Sequence, residues 1–220
     1  MTKRLALAPV AAALLLAACQ EPPSRAASGA LALGPSFDVG GGRSGMNLHP
    51  SGFGRHSYAA WKAHEGEPDA RGNTDQALYF QKMTVTTDFA AGVAVIDGLE
   101  GQPASNLTKL SWDHRNDGWC GAGAPRWNLG LTDASGDHTV FLGCSAATHS
   151  PIIPGWTRDS LLAGDIQAAI AAAGVDPTSA TISSLAIVFD EGTDVGPGFV
   201  FLDNITVNTT VWTSPADNSN

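Results

Sequence analysis

Apolar and polar residues alternate with a period of two along several stretches of the chain, which is typical of β-strands with one buried face. These stretches lie at residues 78–85, 93–95, 110–113, 126–131, 140–144, 184–189 and 199–207. Turn-forming segments rich in Gly and Asp separate them, at 97–101, 133–137 and 190–198. The number and spacing of these strands predict an all-β fold, a β-sandwich with a jelly roll as the favoured topology.

One segment departs from this alternation. Residues 157–173 carry apolar side chains at helical spacing, at Leu161, Leu162, Ile166 and Ile170. Asp159 lies near the start of the segment, and Gly174 follows its end, where a glycine commonly stops a helix. We therefore expect one short helix inserted among the strands.

The N-terminus has the features of an export signal. Lys3 and Arg4 precede an apolar run at residues 5–18, which is shorter than the ~20 residues that a membrane-spanning helix needs. The run ends in Leu16, Ala17, Ala18 and Cys19, and these residues resemble the lipobox of bacterial lipoproteins. The resemblance implies that residues 1–18 are a lipoprotein signal peptide and that Cys19 carries lipid. The alternative is an ordinary secretory signal with Cys19 at the cleavage edge by chance.

The ends of the chain differ in composition from its body. Residues 19–30 are polar and contain Pro and small side chains, which predicts a flexible tether. Residues 31–212 form the predicted sandwich domain, and 213–220 are expected to be a disordered tail. An exported lipoprotein, anchored in the outer membrane or at the cell surface, is the predicted localisation. Gln20, where an Asp would resemble an inner-membrane retention signal, agrees with this.

Composition excludes some classes of function. The chain has 12 Lys and Arg against 21 Asp and Glu, a formal net charge of -9. A nucleic-acid partner is not expected, because such binders are normally basic. Hydrophobic residues make up 43% of the chain, far more than in a disordered acidic tail.

Three cysteines are present. If Cys19 is lipid-modified, Cys120 and Cys144 remain, and an oxidising compartment favours a disulfide between them. Two buried free thiols are the alternative. A zinc site is disfavoured, because neither cysteine has a C-x-x-C partner.

The last predicted strand carries a second resemblance. Its sequence, FVFLDNITV at 199–207, is similar to the closing strand of galactose-binding-like jelly rolls, which include many carbohydrate-binding modules. In some of these modules the Asp of this strand helps to hold a structural calcium ion, which implies a metal-ligand role for Asp203.

Asp203 also stands out without the resemblance. It lies in phase with the apolar residues of its strand, and a buried carboxylate needs a partner. That partner is either calcium, with Asp38, Asn47 or backbone carbonyls as further ligands, or hydrogen bonds from backbone N–H groups or an Arg.

The densest polar and aromatic segment is WDHRNDGWC at 112–120. Aromatic rings beside hydrogen-bonding groups suit a sugar, whose C–H face stacks while its hydroxyls bind polar side chains. The predicted ligand-binding residues are Trp112, Asp113, His114, Asn116, Asp117, Trp119 and Trp156. The alternative is that the tryptophans belong to the core and that the polar residues only build a loop.

The motifs in the sequence do not favour catalysis. The sequence has neither a G-x-S-x-G elbow nor an H-E-x-x-H helix, and its acids are too numerous for any pair to be diagnostic. The sequence favours a lipid-anchored, non-catalytic module that binds carbohydrate or another extracellular ligand. A structural or protein-interaction envelope lipoprotein is the alternative, and a small hydrolase is the least favoured hypothesis.

Overall fold

The computed structural model describes residues 45–219, which contain twelve β-strands and one α-helix. The strands are β1 (Asn47–Phe53), β2 (Ser57–Pro68), β3 (Thr74–Lys82), β4 (Ala91–Asp97), β5 (Lys109–Arg115), β6 (Arg126–Asp133), β7 (Gly136–Gly143), β8 (Thr148–Ile153), β9 (Trp156–Leu162), β10 (Thr181–Phe189), β11 (Phe199–Val207) and β12 (Thr210–Trp212). The helix, α1, spans Ala163–Ala172. None of the helices in this part of the chain is long and apolar enough to cross a membrane.

The strands form two antiparallel sheets packed face to face. The smaller sheet has the order β1-β4-β10-β6-β7, and the larger has β2-β3-β11-β5-β9-β8 with β12 paired to β11. Strands that are distant in sequence are neighbours in both sheets, as in a jelly roll. The prediction of an all-β sandwich with one short helix is confirmed.

The core lies between the sheets. Its largest members are Trp112 of β5, Trp127 of β6 and Trp212 of β12, and the first two stack with ring centroids 5.0 Å apart across the interior. Leu110, Leu129 and Leu185 are fully buried around them, in the alternating positions of their strands. A period of two therefore identified the inward-facing residues correctly in these central strands.

The helix begins later than the sequence predicts. Residues 156–162 form β9, in which Asp159 and Leu161 face the interior, and α1 starts only at Ala163. Leu162, Ile166 and Ile170 do have helical spacing, but pairing with β5 holds the preceding residues extended. The Asp165 carboxylate accepts a hydrogen bond from the Leu162 N–H at 2.9 Å and so marks the first turn.

In β11 the structure also corrects the predicted assignment of residues to the two faces of the sheet. Its pairing with β5 is interrupted between Asp203 and Thr206, and Asn204 has a positive φ of 47°. This bulge moves the following residues to the opposite face. Leu202 and Ile205 therefore both face the core, whereas Phe201 and Asp203 lie on the outer face of the sheet.

The C-terminal residues correct a further expectation. Residues 213–219, predicted as a disordered tail, contain the 3-10 helix Pro215–Ser219. The Asn218 side chain exchanges two hydrogen bonds of 2.7 Å with the backbone of Leu48, and Asp217 accepts the Thr213 N–H. The signal peptide, Cys19, the tether and Asp38 lie outside the described residues, so the expectations for them stay predictions.

The disulfide between Cys120 and Cys144 is present, with Cα atoms 5.5 Å apart. Cys120 follows β5 of the larger sheet, and Cys144 follows β7 of the smaller sheet. The bond therefore connects the two layers of the sandwich at one end.

Candidate binding face

The outer face of the larger sheet carries a row of aromatic side chains. The register places Tyr79 of β3 beside Phe201 of β11, and Phe199 lies two residues earlier on the same face. Tyr58 of β2 pairs with Gln81, which brings its ring to the edge of this row. Antiparallel pairing aligns side chains on one face, so four rings from three strands form a continuous surface.

The four rings form a connected series of neighbouring pairs. Centroids are 4.6 Å apart for Tyr79 and Phe201, 5.8 Å for Tyr58 and Tyr79, and 5.9 Å for Phe199 and Phe201. Tyr58, Tyr79 and Phe199 are partly exposed, whereas Phe201 is nearly buried beneath them. The Tyr79 hydroxyl donates to Gln81 at 3.1 Å, and burial raises the pKa of this phenol. The ring positions are thus fixed by the sheet rather than by a loop.

Charged groups surround the rings. The Arg115 guanidinium stacks 3.7 Å from the Phe201 centroid, and it donates to Glu65 at 2.5 Å and to Asp117 at 2.8 Å. The Lys62 ammonium lies 5.4 Å from the Tyr58 ring. Opposite charges balance on this surface, so the face offers many hydrogen-bonding groups without a strong net charge.

The rings and charges line an open depression of about 450 Å³, whose walls are Tyr58, Lys62, Glu65, Tyr79, Met83, Arg115, Phe199 and Phe201. A second depression, of about 610 Å³, lies at another part of the surface, and its lining includes Leu99, Ile182 and Val211. No aromatic ring lines the larger depression among the residues described. The aromatic one is therefore the better candidate for ligand binding.

Beside the aromatic row, the same face carries a cluster of shielded acids. Asp113 has no exposed surface, and Arg158 binds both of its oxygens, at 2.6 and 2.5 Å. Asp203 pairs directly across from Asp113, and its oxygens accept the N–H groups of Glu67 and Asn204 at 2.8 and 2.7 Å. One guanidinium thus faces several carboxyl groups in a confined space.

Glu67 completes this cluster. It belongs to the irregular end of β2, where pairing with β3 is shifted between Ala63 and Pro68. Burial, followed by the adjacent Asp113 carboxylate, raises the pKa of Glu67 to about 8. Its Oε1 is shielded from solvent and receives no hydrogen bond within residues 45–219. The group is therefore held protonated at neutral pH, in which state it donates to Asp113.

The predicted ligand-binding residues do not form one surface. Trp112 and His114 face the interior of the sandwich and are 2% and 9% exposed. Asp113 and Trp156 lie on the outer face but are covered, with Trp156 only 4% exposed. Trp112 therefore packs between the sheets, and Trp156 packs against the outer face of the larger sheet.

The remaining three predicted residues lie in loops at one end of the sandwich. Trp119 is partly buried between Gly121 and Gly196, where an added Cβ would approach its ring to 2.5 and 2.3 Å. Its indole N–H donates to Glu191. Asn116 and Asp117 are exposed, and Asp117 accepts a hydrogen bond from Arg115 at the edge of the aromatic depression.

Sequence reasoning missed the rings that do form the face. Alternation over 78–85 places Tyr79 on the face opposite Leu78 and Phe80, and the predicted phase of the last strand places Phe199 and Phe201 in the core with Asp203. The sequence did contain a sign of this outer row, because the apolar residues Val200 and Leu202 alternate with Phe199 and Phe201. When the residues at both odd and even positions of a strand are apolar, both faces of the strand are apolar, and a row of outward-facing rings accounts for the second face.

The surroundings of Asp203 do not resemble a calcium cage in the part of the chain that is described. Both of its oxygens are occupied by backbone N–H donors, and Gly66 lies so close that an added Cβ would be 2.9 Å from Oδ2. Calcium prefers six to eight oxygen ligands. Since Asp38 lies outside the described residues, calcium binding at Asp203 and Asp38 stays a prediction.

No family model matches the chain, and no curated protein matches it. One solved structure is similar, a family 30 carbohydrate-binding module of a cellulosomal cellulase of Clostridium thermocellum. The alignment has a TM-score of 0.42 and 14% identity, and it covers 74% of this chain and 94% of that module.

Proposed function

We propose that the chain is a non-catalytic module that binds carbohydrate on the outer face of its larger sheet. The observation that supports this most directly is the aromatic row of Tyr58, Tyr79 and Phe199 over Phe201. Partly exposed rings on a rigid sheet provide stacking surfaces for the C–H faces of sugar rings. Because the rings are already ordered, little conformational entropy is lost on binding.

The polar groups around the rings suit hydroxyl recognition. Arg115 and Lys62 supply N–H donors, and Glu65 supplies acceptors, at the rim of the depression. Their charges compensate, which favours a neutral glycan over an acidic one. The depression is open, so a chain of sugars is a better match than a single enclosed residue.

Affinity electrophoresis and isothermal titration against neutral soluble glycans test this proposal. The full chain with Cys19→Ser is suitable, since it leaves the disulfide-bonded Cys120 and Cys144 as the only cysteines. Tyr79→Ala and Phe199→Ala are each expected to weaken binding about tenfold, since one stacked ring contributes ~1 kcal/mol or more. Phe141→Ala is the matched control, because Phe141 is 60% exposed on the smaller sheet. Equal loss in all three variants, or no binding to any glycan, would contradict the proposal.

Lipid anchoring through Cys19 is part of the same proposal and rests on the lipobox resemblance. Metabolic labelling with a fatty acid is expected to mark the wild-type chain and not Cys19→Ser. Labelling of both would exclude Cys19 as the acylated residue.

A protein partner is the second candidate, and exposed apolar residues near the depression favour it. Phe89 is 79% exposed, and Met83, Val85 and Val195 are each more than 40% exposed. The loops that carry them are joined by hydrogen bonds from Thr86 to Asp194. Binding of an envelope protein that is lost in Phe89→Ala but retained in Tyr79→Ala would support this candidate over glycan binding.

A further inference from the structure

A group of metal-ligating side chains lies at the end of the sandwich, away from the aromatic face. His114 of β5, Cys120, Cys144 and Asp159 of β9 each place one ligand atom within 4.8 Å of the others. Cys120 follows His114 closely in sequence, Cys144 and Asp159 lie further along the chain, and the four have no recognisable metal-binding spacing. Pairing of β5 with β9 and the approach of the two sheets bring them together.

Asp159 is the most constrained member of this group. Its carboxylate is 1% exposed and accepts hydrogen bonds from Trp112 Nε1 at 2.8 Å, and it contacts the Nδ1 atoms of His114 at 2.5 Å and His149 at 2.7 Å. The Cys144 sulfur lies 3.2 Å away. Within residues 45–219, its side-chain partners include no Lys or Arg. The imidazoles of His114 and His149 are the groups in this set that can carry positive charge, so a bound cation would add a charge partner to this buried carboxylate.

In the oxidised protein the two sulfurs are bonded to one another. Thiolates, not disulfide sulfurs, are good ligands for zinc. We propose that reduction of the Cys120–Cys144 disulfide creates a tetrahedral site for Zn²⁺, with two thiolates, His114 and Asp159 as ligands.

The chemistry balances with a dithiol as reductant. One thiolate of the dithiol attacks a sulfur of the disulfide, and its second thiol then releases the protein as two thiols. The dithiol loses two electrons and two protons and closes to its own cyclic disulfide. Zinc then displaces the two thiol protons into solvent and changes no oxidation state.

The surroundings fit such a site in two further respects. Trp112 and His149 hold the Asp159 carboxylate in place, as outer hydrogen-bond partners commonly do for metal ligands. An entry path exists, because Cys120 is partly exposed and the His149 side chain is 44% exposed. The ion would connect the same two sheets that the disulfide connects.

Cobalt provides the test, because Co²⁺ substitutes for Zn²⁺ and gives visible bands in a tetrahedral thiolate site. The full chain with Cys19→Ser is reduced with dithiothreitol, freed of the reductant without oxygen, and titrated with Co²⁺. We expect sulfur-to-cobalt charge-transfer and intense d–d bands, with zinc displacing the cobalt. The oxidised protein should bind at least about a hundredfold more weakly, because it offers no thiolate.

Variants decide which residues act as ligands. Asp159→Asn and His114→Gln are each expected to change the d–d bands and to weaken binding by at least the roughly 10- to 100-fold that loss of an outer hydrogen-bond partner costs. His138→Gln is the matched control, because His138 pairs with Asp133 in the β6–β7 hairpin. Unchanged binding in both ligand variants would overturn the four-ligand site.

Two other outcomes also contradict the proposal. One is equal binding by the oxidised and reduced proteins. The other is a reduced protein that unfolds and does not recover its circular dichroism when zinc is added, because a built site makes metal binding stabilise the fold.

Discussion

The raised pKa of Glu67 leads to a specific prediction about stability and pH. Unfolding exposes this carboxyl and returns its pKa to the ordinary value of 4.5, whereas in the folded protein the pKa is about 8. Between these two pH values the folded chain binds a proton that the unfolded chain has released. The free energy of unfolding therefore falls as pH rises through this window, and the loss is complete above about pH 8.

The size of the effect follows from the surroundings of the group. A tenfold change in proton affinity corresponds to about 1.36 kcal/mol, so a fully shielded carboxyl would cost several kcal/mol. Glu67 is partly exposed, and solvent screening reduces this cost. We expect a loss of about 1–2 kcal/mol between pH 5 and pH 9 from this group.

Glu67→Gln isolates the contribution. The amide has the shape of the protonated acid, can still donate to Asp113, and cannot ionise. At pH 5 the variant should match the wild type to within about 0.5 kcal/mol, and at pH 9 it should be more stable by about 1–2 kcal/mol. Urea unfolding followed by tryptophan fluorescence, at several pH values, measures the difference, in which contributions from other groups cancel.

The control is Glu65→Gln, the same chemical change two residues earlier in β2, where the carboxylate pairs with Arg115 at the surface. A growing advantage with pH is expected for Glu67→Gln alone. A difference from wild type that is constant between pH 5 and pH 9 would refute the assignment of a protonated Glu67.

Three further predictions concern Lys82, Gly66 and calcium binding. Lys82 is 1% exposed and donates to the carbonyls of Thr86, Asp88 and Asp190 at 2.8, 2.8 and 2.7 Å. Because Lys82→Met removes this donor from all three carbonyls, it should lower the free energy of unfolding by about 3 kcal/mol. The control Lys62→Met, at the surface, should change that free energy by less than about 1 kcal/mol. Equal effects of the two changes in urea unfolding would contradict this role for Lys82. Gly66→Ala should lower the melting temperature, because its Cβ would lie 2.6 Å from the Gln76 carbonyl oxygen, whereas Gly164→Ala meets no atom within 4 Å and should not lower it. Calcium binding at Asp203 and Asp38 predicts a melting temperature that rises with added CaCl₂ and falls again with a chelator, and an unchanged value would count against it.

The sequence determined the architecture well where the signal is local. Alternation at Leu110 and Trp112, and at Trp127 and Leu129, identified both the strands and their buried faces, because side chains on a strand point to opposite sides in turn. The pairing of Cys120 with Cys144 followed from counting, once Cys19 was assigned to lipid. The sequence pattern did not identify β1, β2, β8, β9 or β12, whose partly exposed residues alternate weakly.

Only the tertiary structure decided where a ligand would bind. The aromatic face requires rings from β2, β3 and β11, and the metal-ligating group requires residues from β5, β9 and two loops. No local pattern encodes which strands become neighbours, since that choice depends on long-range pairing of whole sheets. A single bulge at Asn204 places Asp203 and Ile205 on opposite faces of the sheet, although the burial of Asp203 was predictable from the apolar residues around it. The sequence thus determined which strand positions alternate between buried and exposed faces in β5 and β6, and the packing of the two sheets decided which residues meet.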